Sequence, residues 1–428
     1  MGQTISEKVI AKYAGKRTVT PGDYVVVKDF LGPIGYSFKG MNFPQAMGGT
    51  MQMLGLSIAK PENMIINGDH NTPAQSPEDV ELFNSVRTTA AQMGISRVYD
   101  KEGIGHIVNI EKGDITSGSL FVHIDPQAAN AGGIGAYYTN GGRFGSSMME
   151  AFALGELTIR VPESIKIEIN GELPSFVTGR DIWLSVLNEI GPDCAFGMIL
   201  EFSGSTIDKM AVEERMILCG NAGFAGADGA ILQADEVTQA WFKENFNQEI
   251  ETIKSDADAV YAKTFKFDAS KFVPMVTVPP EVFTSKPASE LNEVKLNQCI
   301  IGTCVGGTLL DLRIAAKILA GKKVHHDVRL LISPASQRIY IQASKEGLLA
   351  TLAEAGAKIL SPTCDVCLGV QGPLAAGEVG LSQQTLNVPG RSGSVDADIY
   401  LASAATIAAS AITGFITDPT KTLGGVTL

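Results

Sequence analysis

The chain has 428 residues, room for about three domains at roughly 150 residues each, with a large buried core. It is 45% hydrophobic and 19% charged, with 46 Gly, a globular composition that excludes a disordered chain. Lys and Arg number 34 against 46 Asp and Glu, a net charge of −12, so phosphate backbones and anionic membranes are disfavoured as main partners.

From the N-terminus, residues 5–13 read as a helix and residues 23–27 as a strand behind the turn Pro21-Gly22. Apolar residues recur at helical spacing from 76 to 93, and short apolar runs follow at 106–110 and 120–124. Strands alternating with helices predict an α/β architecture with parallel pairing. Residues 131–145 hold six glycines. Their spacing fits neither the dinucleotide nor the P-loop fingerprint, so close backbone packing is expected. Leu157, Ile159 and Val161 alternate as in a strand, as do Ile165, Ile167 and Ile169, and Asn170-Gly171 supplies a turn. Helices are expected at 181–189 and 207–218. Four prolines in 272–289 block ladder and helix alike and mark this stretch as a linker. Beyond it, strands at 298–302, 328–332 and 358–360 alternate with helices at 309–319, 337–355 and 398–416, a domain of about 140 residues.

The chain has six Cys, too few for a secreted disulfide scaffold. MGQTISEKVI has no basic run ahead of an apolar core, so no signal peptide is expected. The uncharged run at 399–417 is mostly Ala, Ser, Thr and Ile, weak for a membrane span, and reads as a buried helix. A reducing, cytoplasmic setting follows, where cysteines serve metals or catalysis. Cys304, Cys364 and Cys367 stand out. Each lies just past the carboxyl end of an expected strand, where ligands gather in open parallel sheets. Three thiolates on glycine-flanked loops suit an iron–sulfur cluster. Half a zinc site, a redox pair or buried small hydrophobes would also give a lone CxxC. Cys194, Cys219 and Cys299 read as ordinary buried residues.

The run from Gly302 to Glu378, GxC…DLRxAAxxLxGxKV and then SPTCxxCLGxxGxLAxGE, resembles the aconitase superfamily. The likeness is greatest to its branch of 3-isopropylmalate dehydratase and homoaconitase large subunits. It extends over nearly the whole chain: Asp69-His70-Asn71-Thr72-Pro73, Gly103-Ile104-Gly105-His106, Gly171-Glu172-Leu173-Pro174, Phe267-Asp268-Ala269-Ser270, Pro389-Gly390-Arg391 and YLASAATIAAS. The resemblance implies three α/β domains, at 1–155, 156–285 and 286–428, around a [4Fe–4S] cluster held by Cys304, Cys364 and Cys367. It also implies a separate small subunit of the swivelling-domain type, which brings the serine base, and reversible removal of water from a hydroxy acid. Asp69, His70, His106 and Asp125 fall at catalytic positions; Arg391, Gln127 and Asn387 fall at substrate-binding ones.

The departures from the family pattern gather around this site. The family's Asp-Ser-His-Thr is Asp125-Pro126-Gln127-Ala128, so a histidine becomes a glutamine that cannot change charge near neutral pH. Cys-Asn-Met-x-x-Glu becomes Cys219-Gly220-Asn221-Ala222-Gly223-Phe224, losing an asparagine and a glutamate. Asn-Arg-Asn-Phe becomes Thr385-Leu386-Asn387-Val388, Cys-Thr-Asn is Cys304-Val305-Gly306, and the cysteine of Gly-Ile-Cys-His is Gly105. The pocket is therefore expected to be more apolar and less cationic than the family's, with a matching substrate. Handling of sulfide or another small ligand on the same cluster is a second reading. A non-catalytic iron sensor that binds RNA is a third, which the net negative charge opposes. A stand-alone oligomer without the small subunit is also open.

Overall fold

The computed structural model describes residues 2–35, 37–38, 41–141 and 146–422. Its parallel strands form three groups. In the first, Gly32–Gly35, Met64–Asn67 and Arg97–Tyr99 pair in parallel, and so do Leu120–His123 and Tyr137–Asn140. Leu31 stitches the two sets by exchanging backbone hydrogen bonds with Leu120 and Val122. In the second, the order is Gly229–Leu232, Met198–Ser203, Glu163–Asn170, Lys263–Asp268, all parallel. The third is a mixed seven-stranded sheet, ordered Ser285–Pro287, Met275–Thr277, Asp398–Ala402, Val379–Ser382, Gln298–Ile301, Arg329–Ile332, Lys358–Ile359. The α/β architecture read from the alternating pattern is the one observed.

Local chemistry explains the boundaries. The helix Ile5–Tyr13 starts on a capping box between Thr4 and Glu7, and Pro77–Gln92 on one between Ser76 and Asp79. Leu309–Leu319 starts the same way, from Thr308 and Asp311. The strand Glu156–Arg160 pairs antiparallel with Tyr24–Lys28, and Gly171 takes φ +107° at the end of Glu163–Asn170, a conformation that suits glycine. The glycine-rich stretch packs backbone on backbone. A Cβ on Gly132 would lie 1.8 Å from the Ala230 carbonyl oxygen, and one on Gly133 2.4 Å from the Met216 nitrogen. Residues 142–145 of that stretch lie outside the described residues.

Five stretches differ from the sequence expectation. Residues 106–110 belong to the helix Gly105–Glu111, since a run of that length has no periodicity to separate helix from strand. The helix expected at 207–218 breaks into Ser205–Lys209 and Val212–Gly220. Buried Arg215 takes the Met210 carbonyl with Nε (3.0 Å) and the Asp208 carbonyl with Nη2 (3.1 Å). Gly347, at φ +74°, divides the helix at 337–355 into Gln337–Lys345 and Leu348–Ala355. The apolar run at 398–416 is first a strand, Asp398–Ala402, and then a helix, Ala404–Thr413. Ile399, Leu401 and Ala402 pair into the sheet before Ser403 turns the chain. Among the described residues no helix is long and apolar enough to cross a membrane. Finally, the proline-rich stretch is itself sheet: Met275–Thr277 and Ser285–Pro287 form a hairpin at the edge of the seven-stranded sheet. Pro287 is tolerated because the outermost strand needs fewer ladder N–H groups.

A single buried apolar cluster runs from Ile104, Ile107 and Ile110 through Val212 and Met216 to Leu312, Ile332 and Ile407. It locks the first group of strands against the seven-stranded sheet. As a result, the carboxyl ends of Met64–Asn67, Leu120–His123, Gln298–Ile301, Lys358–Ile359 and Val379–Ser382 lead into loops that share one crevice, the place where parallel sheets expose ligand-binding loops.

Candidate active site

A cavity of about 410 Å³ opens in that crevice. Its lining includes Asp69, His70, His106, Asp125, Gln127, Cys364 and Arg391, residues separated by up to 322 positions in the chain. The loop after Met64–Asn67 is the hub. Asp69 Oδ1 contacts His70 Nδ1 at 2.8 Å, and Asp69 Oδ2 accepts from the Gly105 N–H at the start of the helix Gly105–Glu111 (3.0 Å). The Asp69 carbonyl accepts from the Cys364 N–H (2.8 Å) and the Thr363 hydroxyl (3.1 Å). Asp365 returns the favour by accepting from the Asn71 and Thr72 N–H groups. Two loops nearly 300 residues apart therefore hold each other in register.

Electrostatics follow from this geometry. Burial alone would raise the Asp69 carboxyl, but the contact with His70 and the Gly105 N–H bring it below its usual range. Burial alone would lower His70, yet Asp69 wins and raises it. His106, one residue into its helix, lies 3.3 Å from Asp125 through Nε2. Its pKa rises against the pull of burial, and the Asp125 carboxyl falls far below its usual range against the same pull. The cavity thus has two aspartate–histidine pairs in which the histidine holds its proton more tightly than in water.

The cysteines sit behind this polar wall. Cys304 follows Gln298–Ile301 in a loop pinned by Gln383, whose Oε1 accepts from the Gly302 N–H (3.1 Å) and the Gly307 N–H (3.2 Å). Gly307 stands at φ +62°, and a Cβ there would lie 2.5 Å from the Ser333 carbonyl oxygen, so the loop depends on glycine. Cys364 touches both Cys304 and Cys367, and those contacts raise its thiol well above the usual range. Cys367 is drawn below that range by Cys364 first and then by Arg391, whose Nη2 donates to its Sγ at 3.2 Å. The set fits a metal–sulfur group: three clustered sulfurs, Cys304 and Cys367 buried and Cys364 half-buried, cannot all ionise beside one guanidinium, and cluster irons would supply the missing positive charge. Cys219 and Cys299 are fully buried elsewhere and Cys194 is half-buried.

The remaining lining is apolar: Ile34, Ile124, Pro126, Met148, Phe224 and Leu386. Phe224 and Leu386 therefore face the cavity, and Gln127 does so beside Asp125, whose Oδ1 accepts its N–H (2.9 Å). Arg391 Nε is buried with no partner among the described residues, a donor placed beside the cavity for an anion. Asn387 is not part of the lining; its amide reaches the Glu281 carbonyl at 3.4 Å. Two residues that pattern reading passed over matter here. His123 lines the cavity, and its signal was its place at the end of an apolar run two residues before Asp125. Arg180, fully buried, donates to the Gln383 carbonyl (2.8 Å) and the Gln384 carbonyl (2.6 Å). It carried no sequence signal, because only folding brings that helix under the 383–385 loop.

Crevice, paired histidines and clustered cysteines lie together in a chain that belongs to the aconitase family. The model of that family, described as aconitate hydratase, matches residues 17–287 and 280–414. The chain is similar to 3-isopropylmalate dehydratase large subunits. It is 37% identical to that of Heliobacterium modesticaldum over 98% of this chain and 99% of the relative. The same identity and coverage hold for large subunit 1 of Methanopyrus kandleri. Large subunit 2 of Archaeoglobus fulgidus is 36% identical over 99% of this chain and 100% of its own. The holo-form of Thermococcus kodakaraensis aconitase X overlaps 84% of each chain with a TM-score of 0.49 and 13% identity.

Proposed function

We propose that this chain is the large subunit of an iron–sulfur hydro-lyase whose hydroxy-acid substrate carries fewer carboxylates, or a bulkier apolar group, than isopropylmalate or homocitrate. The observation that carries the reading is the lining of the cavity, where Cys364 and Arg391 share the wall with the apolar Phe224 and Leu386. Cys304, Cys364 and Cys367 would hold a [4Fe–4S] cluster. When bound with one iron open, such a cluster supplies a Lewis acid that turns a hydroxyl into a leaving group. Arg391 binds a substrate carboxylate through its fork, and its contact with Cys367 keeps it pointed at the cavity. Asp69 keeps a proton on His70 Nδ1, and Asp125 keeps one on His106 Nε2. Either imidazolium can protonate a departing oxygen and take the proton back on hydration. Phe224 and Leu386 exclude water and receive an apolar substituent. A small subunit of the swivelling-domain type would close the open side and provide the base, in a reducing cytoplasm that protects the cluster.

The test begins with anaerobic purification and assay of iron and acid-labile sulfide. About four of each per chain are expected, and both should be lost in Cys304→Ala. A screen of hydroxy acids, with and without candidate small subunits, then follows the absorbance of the unsaturated product. An anaerobic chain that takes up no iron, even on reconstitution, overturns the cluster. Turnover of isopropylmalate at a rate typical of its dehydratases overturns the proposed substrate class.

A further inference from the structure

The cavity contains a third imidazole whose chemistry is opposite to that of His70 and His106. His123 ends the strand Leu120–His123 and is 8% exposed. Its backbone is fixed from both sides, because the Gly141 N–H donates to its carbonyl (2.9 Å) and the strand pairs with Tyr137–Asn140. The Asp125 N–H donates to its Nδ1 at 2.9 Å. A ring nitrogen that accepts a hydrogen bond carries no proton, so the single proton of the neutral ring lies on Nε2. Protonating Nδ1 would set two N–H groups against each other.

The neighbours reinforce this state. The charged or titratable groups around the ring are His106, Asp125 and Asp69. The His106 ring stands edge-on at 5.1 Å between centroids, with planes at 70°. It already takes the Asp125 carboxylate, leaving His123 facing a cation with no carboxylate of its own. Burial first, and then that cation, push His123 down to about 4. The ring stays neutral where its neighbours are charged, and environments that drive two imidazoles apart in this way separate their roles.

We propose that His123 is a substrate-contacting residue that offers its Nε2 proton, as a neutral donor, to an oxygen of the anion bound by Arg391. This rests on the cavity being the substrate site of the hydro-lyase proposed above. Among the described residues Arg391 is the one guanidinium lining the cavity, Leu386 standing where the family has arginine, and a neutral donor can hold an oxygen without demanding another negative charge. That matches a substrate with fewer carboxylates.

The experiment uses the full-length chain labelled with 15N-histidine, cluster-loaded and cluster-free, with His123→Phe and His123→Gln beside it. One imidazole, absent in His123→Phe, is expected to show a bare Nδ1 and a protonated Nε2 from pH 8 down to pH 5.5. Malonate and 3-isopropylmalate serve as anion probes, and each should shift that Nε2 resonance. His123→Phe should weaken the better probe about tenfold or more, and His123→Gln, whose amide can replace the Nε2 proton, should recover most of that loss. An Nδ1-protonated tautomer or a titration between pH 6 and 7 overturns the proposal. So does an Nε2 resonance that neither probe moves at tens of millimolar, or probe affinity unchanged in His123→Phe. The tautomer and the probe shift need no turnover. If they hold while no hydroxy acid is dehydrated, the reaction class falls and the donor role of His123 stands.

Discussion

Leu386→Arg converts the idea of an apolar, weakly cationic pocket into a number. Leu386 lines the same cavity of about 410 Å³ as Arg391 and Phe224, so a guanidinium at 386 has room to reach a second carboxylate. A hydrogen bond to a charged group contributes about 1.5–3 kcal/mol, or roughly 10- to 150-fold in kcat/KM at about 1.4 kcal/mol per decade. The same change removes an apolar wall, which costs an apolar substituent about 1–3 kcal/mol. The ratio of kcat/KM for a dicarboxylate such as 3-isopropylmalate over the best apolar monocarboxylate should therefore rise by about two to four decades. The existing Arg391 and the two imidazolium-prone histidines repel a further cation, so the lower end of that range is the one to expect. Steady-state kinetics on the anaerobic, cluster-loaded enzyme reads this ratio directly. A ratio unchanged within threefold would refute the assignment of position 386 to the substrate wall.

Other changes test the support around the site. Glu111 is buried, which raises its carboxyl to about 7 despite the Ser336 hydroxyl at 2.8 Å. Because its folded pKa lies above the unfolded value, its contribution is complete below about pH 4.5 and is lost as pH climbs through 7. Glu111→Gln should then stabilise the chain at pH 8 by about 2–3 kcal/mol, read as a higher melting temperature, and change it little at pH 5; equal shifts at both pH values would refute the burial argument. Arg180→Met leaves the Gln383 and Gln384 carbonyls without their donor. A loss of about 2–5 kcal/mol in stability and fewer irons per chain are expected, because the loop at 383–385 supports both Cys304 and Cys367. Full iron content in a folded Arg180→Met would show that this support is dispensable. Gly132→Ala should yield no soluble protein, its Cβ lying 1.8 Å from a carbonyl oxygen, whereas Gly49→Ala, with nothing within 4 Å, should gain about 0.5–1 kcal/mol in thermal melts.

Patterns that depend on nearest neighbours were readable without coordinates. Apolar residues at helical spacing marked the helix within 76–93, and Ile165, Ile167 and Ile169 marked a strand by alternation. The errors have a common cause, which is that tertiary partners decide where local preference is ambiguous. Arg215 broke a helix through carbonyls it could reach only once it was buried, and a hairpin formed between prolines because the sheet edge tolerates them. The same division separates the site residues. Cys304, Cys364 and Cys367 were legible because three thiols just past expected strands carry chemistry on their own, whereas Asp69, His70 and His106 became legible only through the family resemblance. His123 was hidden in an apolar run, since its role depends on a backbone N–H two residues ahead and on a ring 17 positions earlier in sequence.

That dependence also explains how the site could change while its frame persisted. The frame is held by backbone groups and by Asp69, Asp365, Gln383 and Arg180, each tying two loops together. Replacing any of them exposes buried polar groups and costs stability directly. Positions 127, 224 and 386 line the cavity, and Phe224 and Leu386 have no polar side-chain atom with which to join the loop network. Substitutions there alter what the cavity binds at little cost to folding. Lining positions are thus the easier ones for this fold to change, and three of the departures from the family pattern, Gln127, Phe224 and Leu386, fall there.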